Sequence, residues 1–143
     1  MNYKIKEKLK EAFEGGLSPE LSYETLKKIA HGVDVAKDAT WFASAALANS
    51  PTNTVLRSVI GGTETATDIL RYKTDDSIFN EPRKSDKYLS VWWTGIGSLS
   101  LGGTVADVVS GNFSRIPADA SFAAASYLTA LSKGLHYMAD KKC

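Results

Sequence analysis

Apolar positions recur at helical spacing along most of the chain, and almost nowhere do they alternate as a half-buried strand requires. Residues 3 to 14 (YKIKEKLKEAFE) set Ile5, Leu9, Ala12 and Phe13 on one side of a short amphipathic helix, which Gly15 and Gly16 end. A second helix starts at Ser18 and Pro19, a cap followed by a first-turn proline. Its spacing runs through Leu26, Ile29, Ala30, Val33, Ala36, Trp41, Phe42, Ala45 and Leu47. Up to Asp38 this helix is charged and amphipathic; beyond it, ATWFASAALA is apolar or small all round. Asn49 to Asn53 is a dense turn signal. The helix expected after it, 53 to 71, should bury Val55, Leu56, Val59, Ile60, Ile69 and Leu70. Residues 72 to 87 form a polar connection, and Tyr88 to Ala106 follows without a formal charge. Gly111 and Asn112 break the pattern before Pro117 opens a last helix with a broad apolar face from Ala120 to Met138.

The pattern predicts an all-α fold in one domain spanning 1 to 143. Four main helices pack as two hairpins, preceded by the short N-terminal amphipathic helix over 1 to 16. The uncharged stretch 88 to 106 is long enough, at about 1.5 Å per residue, to cross the roughly 30 Å apolar layer of a bilayer. Its glycines would each cost a water-exposed helix about 1 kcal/mol relative to alanine, whereas glycine lets membrane helices approach closely. Small residues repeat every four positions as Ser58, Gly62 and Ala66, and again as Ser98, Gly102 and Ala106, two candidate helix-packing stripes. Trp41, Trp92 and Trp93 are candidate interfacial anchors or walls of a pocket.

Charge supports a membrane and composition opposes one. If four apolar helices are threaded back and forth, the connections on one side collect Lys27, Lys28, Lys37, Arg71, Lys73, Arg83, Lys84, Lys87, Lys133, Lys141 and Lys142, and those on the other only Arg115. That bias places both termini on the cytoplasmic side. Against it, 43% hydrophobic residues, 23% charged residues and a mean hydropathy of -0.17 are ordinary for a protein dissolved in the cytoplasm. A net charge of +1 without a basic block argues against nucleic acid as a partner. The lone cysteine, Cys143, forms no intrachain disulfide.

Catalytic chemistry finds no support. No P-loop, nucleophile elbow or dinucleotide fingerprint occurs, and no family's motifs are present. His31 and His136 lie far apart, each with an acid one turn on, a helix-surface pattern that calls for no metal and no cofactor. Asp68 and Asp107 stand out as acids on otherwise apolar helices, candidates for a proton, an ion or a charged partner helix. The sequence leads to a small non-enzymatic helical protein, embedded in or docked on a membrane, with a structural or accessory role. Its partners would be lipid, other helical subunits or further copies of itself. The alternative is a soluble bundle that acts as an interaction module or holds a small apolar ligand.

Overall fold

In a computed structural model the described residues are 22 to 74 and 84 to 140. They form four α-helices: α1 (Tyr23–Ala46), α2 (Pro51–Thr74), α3 (Lys84–Ser110) and α4 (Ile116–Asp140). A 3-10 turn, Phe113–Arg115, leads into α4. The protein is thus an all-α helical bundle, and among the described residues there is no strand. The amphipathic helix expected over 1 to 16 and the cysteine at 143 lie outside the described residues. So do residues 75 to 83; helix occupies both flanks of the connection expected over 72 to 87.

Local chemistry sets the helix ends. Ser22 caps α1 by accepting a hydrogen bond from the amide of Thr25 at 3.3 Å. At α2, Ser50 does the same for the amide of Asn53 at 3.2 Å, with Pro51 in the first turn where no N–H is missed. Gly111 ends α3 in the left-handed region (φ 78°), which a glycine enters without steric cost. The amide of Asn112 then reaches back to the Asp107 carbonyl at 2.9 Å and that of Gly111 to the Val108 carbonyl at 3.3 Å, a Schellman closure.

In the bundle α2 packs on α1, α1 on α4, and α4 on α3. Backbones come close at glycines. A Cβ at Gly61 would lie 3.1 Å from the Cβ of Trp41, one at Gly97 3.2 Å from the Tyr127 ring, and one at Gly134 3.3 Å from the Ser90 hydroxyl.

On α2 burial runs opposite to the sequence expectation, whereas Leu26, Ala30, Trp41 and Ala45 of α1 are buried as their spacing predicts. Among the described residues the buried apolar ones are Leu26, Trp41 and seven alanines, whereas Lys27, Asp34, Lys37, Arg57, Asp68, Arg71, Asp86, Asp107, Lys133 and Asp140 are buried charges. Val55, Leu56, Val59, Ile69 and Leu70, expected inside, are exposed, and only Ile60 is partly covered. The reason is rotational: α2 turns its Arg57, Gly61, Asp68 and Arg71 face inward, where ion pairs hold it, and its aliphatic face outward. On α3 the exposed set includes Val91, Trp92, Leu99 and Val109, the last at 81%.

No described helix is long and apolar enough to cross a membrane. Tyr88 to Ala106 does lie inside one long helix, but serine, threonine and glycine keep its mean hydropathy low. The charge-bias argument changes too. Lys27, Lys37, Arg71 and Lys133, counted above as residues of exposed connections, are buried inside the bundle.

Candidate functional site

The inward faces repeat with alternating three- and four-residue steps, the spacing that keeps one seam of a helix toward its neighbours. On α1 the seam is Lys27, Ala30, Asp34, Lys37, Trp41 and Ser44; on α2 it is Arg57, Gly61, Glu64, Asp68 and Arg71. The α4 seam carries Ser126, Thr129, Ser132, Lys133, His136 and Asp140. Together these seams build a continuous ionic spine through the bundle.

At one end Lys27 Nζ pairs with Asp140 Oδ1 at 2.8 Å and lies 3.4 Å from His136 Nδ1. With Nδ1 accepting from the ammonium, His136 donates its Nε2 proton to Asp34 Oδ2 at 2.7 Å. The Ser132 hydroxyl donates to the other oxygen of Asp34. Burial drives the His136 imidazole below the usual histidine range; the Asp34 hydrogen bond opposes this, while Arg71 and Lys27 reinforce it. Burial alone would raise the Asp34 carboxyl, but hydrogen bonds from His136 and Ser132 and the Lys37 charge hold it below the ordinary value.

Lys37, fully buried, is the hub. Its ammonium lies 2.8 Å from Glu64 Oε2 and 2.8 Å from Asp68 Oδ2, 3.6 Å from Asp38 Oδ1 and 3.8 Å from Asp34 Oδ1. Lys133 reaches Glu64 Oε2 at 3.0 Å from α4. Burial works against the ammonium of Lys37, yet Glu64 and Asp68 raise its pKa above the usual lysine value. Asp38 behaves differently: burial and the facing Asp68 carboxyl push it up to about 7 despite Lys37.

Beyond Trp41, whose Nε1 donates to Thr129 at 2.8 Å, the spine continues. Arg57 donates to the carbonyl and hydroxyl of Ser44 and to the Ala118 carbonyl at 2.9 to 3.1 Å, and its guanidinium lies over the Phe122 ring. Near the start of α4, the Asp107 carboxyl and burial raise the pKa of Asp119, with Arg57 and Arg115 opposing. Arg71 Nη2 donates to both oxygens of Asp86 at 3.0 and 3.1 Å, joining the end of α2 to the start of α3.

The two acids singled out in the sequence are both buried but lie in different clusters. Asp68 belongs to the Lys37 hub and Asp107 faces Asp119. The small-residue stripes point outward: Gly62, Ala66, Ser98, Gly102 and Ala106 are exposed and Ser58 is half-buried. Trp41 is core, Trp93 packs edge-on against it at 5.3 Å, and Trp92 faces out.

Sequence reasoning missed Asp34, Lys37, Glu64, Lys133 and the joining of the two histidines. The regular three-four spacing of charged positions was the available signal. His31, Asp34 and His136 place their ligand atoms within 4.8 Å of one another, so they are no longer separate surface contacts. Their donor chemistry suits a proton chain better than a cation, because His136 Nε2 carries the proton given to Asp34 while Lys27 and Lys37 place positive charge on either side. Comparison with known proteins found no matching family model, no similar curated protein and no matching solved structure.

Proposed function

We propose that this protein is a non-enzymatic accessory subunit of a helical assembly docked on a membrane, with its two hairpins, α1–α2 and α3–α4, turning apolar faces toward other chains. The carrying observation is the inverted burial: large aliphatic and aromatic side chains on α1, α2 and α3 face outward while charges fill the interior. Each exposed apolar square ångström left in water forgoes about 25 cal/mol, and monomeric soluble proteins rarely expose such surface contiguously. The outward stripes support helices rather than a globular partner as the cover, since Gly62 and Gly102 have nothing within 4 Å of where a Cβ would stand. Docking is favoured over crossing because no described helix is apolar enough to span.

The test is expression followed by fractionation of carbonate-washed membranes. The subunit should stay in the pellet until detergent releases it in a complex larger than one chain. A monodisperse, detergent-free monomer in the supernatant would sink the proposal and favour the interaction-module alternative.

A further inference from the structure

Between α1 and α2 lies a cleft of about 500 Å³, a volume typical of small-molecule sites. Val35, Ile69 and Tyr72 give it apolar walls, His31 stands edge-on to Tyr72 at 5.3 Å, and Asp38 and Asp68 form its polar end. Four carboxylates, Asp34, Asp38, Glu64 and Asp68, surround Lys37, and Lys133 supplies a second ammonium to Glu64. With Asp38 ionised, above about pH 7, negative charge in this hub exceeds positive. The Asp68 side chain is more than nine-tenths buried. Asp38 and Asp68 face one another and share a hydrogen bond while Asp38 keeps its proton; once that proton is lost, the buried Oδ1 atoms of both are left without a donor, Asp68 keeping only Lys37 on its Oδ2. Buried acceptors without donors cost about 1 to 3 kcal/mol each, so these two invite a ligand that brings N–H groups.

We propose that this cleft binds a small primary ammonium ion with an apolar tail, donating to Asp38 and Asp68 and lying along Val35, Ile69 and Tyr72. A bare metal ion would leave the apolar volume unfilled, and a quaternary ammonium has charge but no donors. An anion would meet the surplus carboxylates. The ammonium also replaces the proton that Asp38 holds below about pH 7. The other charged or titratable groups facing the cleft and hub are His31, Asp34 and Lys37 from α1, Glu64 from α2, and Lys133 and His136 from α4, with Arg71 of α2 acting on His136.

The decisive experiment is calorimetric titration of the purified full chain, with or without detergent as its fractionation dictates, using benzylamine, benzyl alcohol and benzyltrimethylammonium. Benzylamine should bind at about pH 8 with almost no proton released and at about pH 6 with release of about one, and its affinity should fall by up to about tenfold per pH unit below about 7. The alcohol and the quaternary ion should bind at least about tenfold more weakly. Asp68→Asn should lose about tenfold or more, and Ile69→Trp, which fills the mouth from a half-exposed position, should abolish binding. Equal binding of the alcohol, a flat pH profile, or unchanged affinity in Ile69→Trp would overturn the proposal, even if Asp68→Asn does not fold. Because the titration reads the isolated chain, its outcome is independent of where the protein fractionates.

Discussion

Lys37 illustrates what a single residue must satisfy here. Its ammonium has no contact with solvent, so its desolvation is offset only while Glu64 and Asp68 remain ionised beside it. Lys37→Met leaves Asp68 without its cation and Glu64 with Lys133 alone, and urea denaturation at neutral pH should show a loss of about 3 to 5 kcal/mol. Glu64 sharpens the pH dependence. Burial would raise its pKa, but Lys133 and Lys37 bring it below the ordinary value. Its contribution is therefore present above the unfolded pKa and lost as pH falls through the folded one. Asp38 has the opposite sign. Raised to about 7, it takes up a proton on folding between the unfolded value and 7, so its ionised form destabilises the fold above that window. Asp38→Asn should raise stability at about pH 8 by on the order of 1 kcal/mol, less than a fully buried carboxyl would give, and by almost nothing at about pH 4. Thermal melts at the two pH values check both the sign and the window.

At the scale of elements, glycines separate into two kinds that the sequence pattern does not distinguish. Gly97 faces the Tyr127 ring and Gly134 the Ser90 hydroxyl, so alanine there requires those side chains to give way by a few tenths of an ångström. Gly97→Ala should cost about 1 to 3 kcal/mol in thermal unfolding. Gly62 and Gly102 have open space where a Cβ would stand, and alanine relieves only helix-interior glycine entropy. Gly102→Ala should stabilise the isolated chain by about 0.5 to 1 kcal/mol, whereas Gly102→Leu should dissolve the proposed assembly on size exclusion without lowering the melting temperature. The breaks between helices were legible because Ser50, Pro51, Gly111 and Pro117 act on their own neighbours, but the bounds shifted: α1 starts at Tyr23 under a Ser22 cap rather than at Ser18, and α2 runs Pro51–Thr74 rather than 53 to 71. Helix rotation was not legible: α2 carries an aliphatic face and a charged face, and periodicity alone favours the aliphatic one for the interior.

For the whole molecule, the consequence is an apolar coat around an ionic interior. Trp92→Glu, on the outward face of α3, should leave the isolated fold within about 0.5 kcal/mol and, under the proposed membrane docking, move the protein from the washed membrane pellet to the supernatant. Fractionation of the variant beside the parent reads the shift, and an unchanged pellet would remove Trp92 from the docking surface. Of the candidate site, the sequence exposed Asp68 and its odd position on an apolar helix. It did not expose the hub, since Asp34, Lys37, Glu64 and Lys133 belong to three helices that only packing brings together.

The sequence by itself determined the helical class, the breaks between helices and the long uncharged run in α3. These follow from interactions within a few residues: caps, proline, glycine and hydrogen bonds four residues apart. Tertiary structure decided which face of each helix turned inward and which charges met. That choice depends on whether partners such as Lys37 and Glu64, 27 positions apart, or His136 and Asp34, 102 positions apart, can satisfy one another without water. Pairing across helices, more than the hydropathy of any one helix, set the interior of this protein.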